Sequence, residues 1–364
     1  MHQLNILASG LKKRINHRVK LMSKTSIKTS YSLLMVGLLF AGLIEAQIHS
    51  FSVYEEVLFA SPKGFDLTMD IYVPDTGKEE YPVLVIWHGG GWLINTNQIM
   101  DEMSGYVASN AEYIVCNVNY RLLGDLNNTT TLNEIVEDVF GSLLWIKYNI
   151  SEYGGDSTRV AITGDSAGGH LASMVLTSGR VLDSDGFEGK PGFTPSWLPE
   201  GKTAEEIARE DGLSVQAAII SYGVLDVLDR SRNGYETDKN GFWEWGGVTA
   251  RGFFGNEFNY RDHPELYKAL SPIYNIPENE EYLLPPQFHH VGSMDEVTTP
   301  ELIGEYVEAL KEKGHPVEFE IYDGKNHAYL DNGCNEFLGN CFDEDAVPVL
   351  QKIISFLDEH LADD

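Results

Sequence analysis

Ser166, His327 and Asp295 stand where a hydroxyl, an imidazole and a carboxylate could act in series on an acyl group. In Val160-Ala161-Ile162-Thr163-Gly164-Asp165-Ser166-Ala167-Gly168-Gly169-His170 an apolar run ends in Gly-x-Ser-x-Gly. It continues into a small-residue, helix-compatible segment, Leu171 to Leu176. That order fits a tight strand-to-helix turn that lifts Ser166 above a sheet edge, with Gly164 and Gly168 making room for crowded backbone. Such a serine attacks an acyl carbon when a base takes its proton, an acid orients the base, and backbone NH groups receive the oxyanion. His327 is the candidate base, at the end of the polar loop Tyr322-Asp323-Gly324-Lys325-Asn326-His327. Asp295, in Val291-Gly292-Ser293-Met294-Asp295-Glu296-Val297, is the candidate acid; Glu296 competes, and Asp323 and Asp331 are more distant choices. The NH of Ala167, just after the serine, is one oxyanion donor. His88-Gly89-Gly90-Gly91-Trp92 supplies Gly90 and Gly91, with the Trp92 NH able to replace one of them. His88 reads as a structural hydrogen-bonder of that loop.

The elements that must position these groups alternate. Phe51 to Phe59 and Leu67 to Val73, parted by Ser61-Pro62-Lys63-Gly64, predict an antiparallel hairpin. Tyr81 to Trp87 and Tyr113 to Val118 predict strands buried on both faces. Leu132 to Tyr148 carries Ile135, Val139, Leu143 and Ile146 at helical spacing. Further strands are expected at Val160 to Thr163, Val215 to Tyr222, Pro285 to Val291 and Val317 to Tyr322, with helices at Glu301 to Lys313 and Ala346 to Leu361. The fold class is α/β: a mostly parallel sheet with an antiparallel N-terminal hairpin and helices on both faces. Two segments break the alternation, about 182–213 and 229–276, and read as lid-like insertions on the active-site rim, with peripheral decoration as the alternative. Trp243 and Trp245 in the second, with Trp92 of the glycine loop, are candidate stacking surfaces for a sugar or phenolic ring. Packing inside a lid is the other reading.

Composition narrows the partners. The net charge is −29 over 364 residues, yet residues 1–46 carry seven bases and one acid, so the rest holds −35. That surface repels nucleic acid and anionic lipid. Basic residues followed by an uncharged run, Thr29 to Ile44, and Ile44-Glu45-Ala46 predict a signal peptide over 1–46, leaving a single domain over 47–364. The run is short against the roughly 20 apolar residues of a membrane span, so an uncleaved anchor is the lesser reading. Export to periplasm or medium is expected, with no stable membrane partner after cleavage. Cys116 reads as a buried thiol; Cys334 and Cys341 bracket a short loop where export would permit a disulfide, free thiols being the alternative. Asp183-Ser184-Asp185-Gly186 echoes a calcium loop without its remaining ligands, so no metal and no cofactor are expected. Asn127, Asn128 and Asn149 open glycosylation sequons.

With these residues assembled, the sequence resembles the α/β-hydrolase superfamily. Within it, the chain looks like hormone-sensitive-lipase-related carboxylesterases and the neighbouring bacterial acetylxylan and feruloyl esterases. The likeness runs from about Phe51 onward. It rests on His88-Gly89-Gly90-Gly91-Trp92, Tyr120-Arg121-Leu122, Gly164-Asp165-Ser166-Ala167-Gly168-Gly169, Asp70-Ile71-Tyr72-Val73-Pro74 and the Asp295 and His327 segments. It implies Ser166, Asp295 and His327 as a triad, Gly90, Gly91 and Ala167 as an oxyanion hole, and no cofactor. The insertions exceed those of a minimal esterase, and no N-terminal cap helix is evident before Phe51, which tilts the reading toward the polysaccharide-esterase branch. The expectation is a serine esterase acting on a small-molecule or carbohydrate ester, acetyl or feruloyl. A serine peptidase or an arylformamidase shares the chemistry. A non-catalytic binding protein on the same scaffold is the reading from another class, and it would be expected to lack part of the triad.

Overall fold

The computed structural model describes residues 48–187 and 191–361. The expected signal peptide, 1–46, lies outside the described residues. Eight strands form one sheet: β1 (Phe51–Ala60), β2 (Leu67–Pro74), β3 (Tyr81–Trp87), β4 (Ile114–Val118), β5 (Gly155–Asp165), β6 (Ala217–Ser221), β7 (Gln287–Gly292) and β8 (Val317–Tyr322). Their order is β1-β2-β4-β3-β5-β6-β7-β8. β1 with β2 and β2 with β4 are antiparallel, and every other neighbouring pair is parallel. Every residue of β3, β4, β6 and β7 is buried, which is why these strands read as unbroken apolar runs: helices cover both faces. β1 is an edge strand whose register slips between Tyr54 and Val57. There Glu56 takes a positive φ of 54° and its amide donates to Asp70 Oδ1 at 2.7 Å.

The long helices fall where apolar spacing places them. Leu132–Asn149 starts at Thr131 with a capping box closed by Glu134 and buries Ile135, Val139, Leu143 and Ile146. Ala167–Ser178 is buried along its whole length, as expected of a small-residue helix pressed on the sheet. Pro300–Glu312 packs on β7 and β8, and Val347–Leu361 packs on β5 and β6. Asp101–Asn110 is a helix that periodicity did not reveal, because it buries only Met103, Ser104, Val107 and Ala108 and carries Gly105 in its middle.

The two insertions differ in what they cover. Among the described contacts, 182–213 runs along the Leu132–Asn149 helix: the Ser196 amide donates to Glu137 O at 2.9 Å, and a side chain at Gly141 would strike Ser196 and Trp197. Phe187 of the same segment stacks on Phe254 of the second insertion at 5.2 Å. The outer flank of that helix needed apolar cover, and Phe193 packs on Phe140 there at 5.5 Å. The 229–276 segment does fold over the glycine loop. Tyr235 donates to Gly91 O, and Trp92 meets Tyr235 and Phe253 edge-on at 5.6 and 5.5 Å. Arg251 pins it to the loop before the Leu132–Asn149 helix, donating to Leu123 O at 2.6 Å and to Asn128 O at 2.8 Å.

Candidate active site

Ser166 sits between β5 and the Ala167–Ser178 helix at φ 51°, ψ −112°, a backbone conformation that costs about 1–3 kcal/mol and persists only where its surroundings enforce it. They do so here by hydrogen bonding and by close approach. The Ser166 amide donates to Ser221 O at 2.9 Å, and its carbonyl accepts from His170 N at 3.1 Å and Val224 N at 3.2 Å. A Cβ at Gly168 would collide with the Trp87 carbonyl, and one at Gly164 with the Gly168 backbone. The Ala167 NH opens the helix and has no intrahelical acceptor.

The structure brings Ser166, His327 and Asp295 into one hydrogen-bonded chain. The serine hydroxyl donates to His327 Nε2 at 2.8 Å, and Nδ1–H of the same ring donates to Asp295 Oδ2 at 2.7 Å. All three are nearly sealed from solvent, at 7%, 6% and 2% exposure. Asp295 is held on both oxygens: Oδ1 accepts from the amides of Val297 (2.8 Å) and Thr298 (2.9 Å), and Oδ2 accepts from Thr298 Oγ1 at 3.1 Å. Glu296, its competitor, is exposed, and Asp323 bonds only to exposed Ser293.

The loops that carry Asp295 and His327 are laced together. Met294 N donates to Lys325 O and Ser293 N to Tyr322 O, each at 2.9 Å. A side chain at Gly292 would collide with the Lys325 carbonyl. Behind His327, Cys334 and Cys341 form a disulfide that closes a short hairpin, Cys334–Asn335 against Asn340–Cys341. From that hairpin Asn340 Nδ2 donates to His327 O at 2.5 Å.

The glycine loop arrives from the other side. Gly89 N donates to Asp165 Oδ1 at 2.6 Å, tying the loop to the serine turn. Gly90 and Gly91 then take φ values of 117° and 59°, and their NH groups donate to no acceptor among the described residues. His88 is buried and stacks on Tyr120 at 4.3 Å. Burial pushes its imidazole down to about 4, so it stays neutral and structural. The Tyr120 hydroxyl donates to His88 O at 2.6 Å. Next to it Arg121 grips Asp138 with Nε–Oδ2 at 2.7 Å and Nη2–Oδ1 at 2.8 Å. A bidentate pair thus fixes the strand end that supports the loop.

A family model for BD-FAE matches residues 69–302, well over half of the chain. The protein belongs to the BD-FAE family. The match spans the glycine loop, the serine turn and the Asp295 loop. An isoprenylcysteine alpha-carbonyl methylesterase of Arabidopsis thaliana is 26% identical over 318 residues, covering 85% of this chain and 64% of the relative. Carboxylesterase NlhH of Mycobacterium tuberculosis is 32% identical over 115 residues, 32% of this chain and 35% of that protein. The matches thus span from about a third to just under two thirds of the length of these curated relatives. The apo form of Thermogutta terrifontis esterase 2 superposes with a TM-score of 0.60 at 22% identity, over 90% of this chain and 100% of that one. The fold is that of an α/β-hydrolase.

Two expected stacking surfaces of this BD-FAE chain are instead interior. Trp92 has 0% exposure, and its ring packs edge-on against His170, Tyr235 and Phe253. Trp243 has 2%, and its Nε1 donates to Tyr235 O at 2.7 Å. Trp92 holds the second insertion to the glycine loop and Trp243 packs within the insertion, so neither offers a ring to a ligand. Trp245 is 63% exposed and meets Phe242 edge-on at 5.1 Å.

Several residues at the site escaped sequence reasoning. Asp165 stands inside the Gly-x-Ser-x-Gly motif, where its type carries no signal of a role. Its carboxyl is buried, which raises its pKa, while the charge of His327 and the Gly89 amide draw it back. Tyr222, at φ 39°, directly follows β6 with its ring against His327 at 5.0 Å, and its carbonyl accepts from Thr298 Oγ1 at 2.9 Å. The residue before Ser166 and the residue just after the next strand are positional signals that could have found both.

Proposed function

We propose that this protein is an exported serine carboxylic-ester hydrolase that removes acyl groups, acetyl or feruloyl, from carbohydrate. The observation that carries the reading is the unbroken chain Ser166–His327–Asp295 beside the free NH groups of Gly90 and Gly91. His327 takes the Ser166 proton as Oγ bonds to the ester carbonyl carbon, and Asp295 holds the resulting imidazolium. Gly90, Gly91 and Ala167 donate to the oxyanion of the tetrahedral intermediate. Collapse expels the alcohol, which takes the proton from His327. Water, deprotonated by the same imidazole, then releases the acid. No step calls for a metal or an organic cofactor.

The relatives' names support carboxylic esters as the substrate class, since carboxylesterase and methylesterase share that bond. Export is supported by the basic-then-apolar N-terminus and by the Cys334–Cys341 disulfide, a bond that persists in oxidising compartments. The strongly acidic surface speaks for a small-molecule or carbohydrate ester over lipid surfaces or nucleic acid.

Ser166→Ala tests the nucleophile: hydrolysis of p-nitrophenyl acetate should fall by roughly four to six orders of magnitude, and a fluorophosphonate should label the native chain at Ser166 alone. Retention of most activity would overturn the assignment. A panel of acetylated xylan, methyl ferulate, N-formylkynurenine and a peptide anilide separates the esterase from arylformamidase and peptidase.

A further inference from the structure

Among the described residues, three cations without an acidic partner share the wall of one cavity. Acidic side chains far outnumber basic ones beyond residue 46, and many bases are paired, as in Lys63–Glu134, Lys202–Glu210, Lys313–Glu278 and Lys325–Asp345. Arg232, Lys239 and Arg261 are not. They line a cavity of about 610 Å³ within the second insertion. Lys239 and its neighbours Asn233 and Gly234 continue that wall into a second cavity of about 240 Å³, which adds Arg230 and Tyr235.

The carboxylate on this wall is not their counter-ion. Glu236 turns inward, its Oε1 accepting from Phe253 N at 2.6 Å and from the Tyr267 hydroxyl at 2.8 Å. The smaller cavity adjoins the reactive loops on two sides. Tyr235 donates to Gly91 O, and Arg230 donates to Val297 O, two residues beyond Asp295.

We infer that this double cavity is an anion subsite. It receives an anionic group on the sugar ring next to the ester that Ser166 attacks, either the carboxylate of a uronic acid or a sulfate half-ester. The inference rests on the ester-hydrolase reading and names its substrate class. Guanidinium groups match the planar oxygens of such anions. The distribution of charge argues the same way. A chain of net charge −29 repels an anionic polymer at range, whereas cations facing a cavity attract a single charged ring within a Debye length of about 8–10 Å. The arrangement favours one charged ring at the scissile bond over a polyanion along the surface.

The test compares kcat/KM on three acetylated xylo-oligosaccharides: neutral, bearing one glucuronic acid, and bearing one sulfate. p-Nitrophenyl acetate serves as the neutral reference. At low salt an anionic substrate should be preferred about tenfold over the neutral one, and added salt should erode the preference. Preference for either anion supports the subsite and identifies the group. Arg232→Glu and Lys239→Glu should each bring the anionic-to-neutral ratio near or below unity. The ratio is taken within one preparation, so a partly unfolded variant does not distort it. If p-nitrophenyl acetate is hydrolysed but neutral and anionic sugars are treated alike, or if the ratio survives both variants, the inference falls alone. If p-nitrophenyl acetate is not hydrolysed by the native protein, the esterase reading falls and takes the subsite with it.

Discussion

The carboxylate of Asp165 and the amide of Gly89 meet at 2.6 Å, joining the residue before Ser166 to the loop that carries Gly90 and Gly91. The two halves of the site come from strands β5 and β3, which are parallel neighbours in the sheet. Their backbones set strand spacing, but this one bond sets where the glycine loop turns. A Cβ on Gly89 would collide with the same carboxylate, so the pair fits only in this form.

Asp165→Ala should leave the buried Gly89 NH without an acceptor, at a cost of about 1–3 kcal/mol. On p-nitrophenyl acetate kcat should fall about 10- to 100-fold with KM little changed, because donors to the oxyanion act in the transition state. Asp165→Asn keeps an acceptor oxygen and should recover most of kcat. Equal losses in both variants would show that the negative charge, not the hydrogen bond, is what matters.

Removing Arg121 strands a buried carboxylate. Asp138 has 0% exposure; burial raises its carboxyl to about 6 even with the guanidinium beside it drawing it down. Arg121→Leu should destabilise the fold by about 3–5 kcal/mol, read as a lower midpoint in urea denaturation. Adding Asp138→Leu should restore much of the loss, since the pair's worth lies largely in not leaving one partner alone. A double variant as unstable as the single one would count against this account.

His289 gives the pH dependence a separable part. Its Nδ1 has no partner and burial pushes its imidazole down to about 3. In the unfolded chain the same group titrates near 6.5. Between these values unfolding takes up a proton, so stability falls as pH drops from about 6.5, with a slope of up to roughly 1.4 kcal/mol per pH unit from this group. His88, His170 and His290 act with the same sign, at about 4, 4 and 3. Buried Asp138, raised to about 6, acts with the opposite sign. His289→Leu should therefore lose less stability than the native protein between pH 7 and pH 4.5, measured by urea denaturation at each pH. Parallel losses in the two proteins would show that His289 is not a source of acid sensitivity.

The disulfide should affect turnover through Asn340. Opening it with Cys334→Ser and Cys341→Ser frees the hairpin whose Asn340 grips the His327 carbonyl. Stability should drop by roughly 2–3 kcal/mol, the chain-entropy expectation for so short a loop. kcat should drop about 3- to 10-fold as the imidazole loses its fixed position. Asn340→Ala, with the disulfide intact, should reproduce the kinetic loss but little of the thermal one. If kcat is indifferent to both, the hairpin only stabilises.

What could be read from the chain and what could not divide along physical lines. β3 and β4 were legible because strands buried on both faces must be apolar throughout, and the Leu132–Asn149 helix because Ile135, Val139, Leu143 and Ile146 recur at helical spacing within a segment buried on most sides. Ser166, Asp295 and His327 were legible as groups because each follows a strand. Their union depended on strand order, with β6 between β5 and β7, which local pattern does not encode. Asp101–Asn110 was missed because its buried stripe is narrow. Trp92 and Trp243 kept two readings, stacking and packing, because aromatic residues at a loop look alike whether they meet a ligand or each other. Asp165 and Tyr222 were missed because their work is done through hydrogen bonds and ring contacts to residues distant in sequence.

The slipped register of β1 has a consequence for the molecule in company. An open sheet ends in two strands whose outer hydrogen-bonding groups could recruit a strand from another molecule. At the first margin Val53, Tyr54 and Leu58 are exposed and would invite it, but the kink at Glu56 turns its amide back to Asp70 and breaks the ladder a newcomer would need. At the other margin β8 presents Glu318 and Glu320 to solvent, and two copies would have to bring like charges together. The sheet therefore protects itself by shape on one side and by charge on the other, so the charged side loses its protection in strong salt while the kinked side keeps its own.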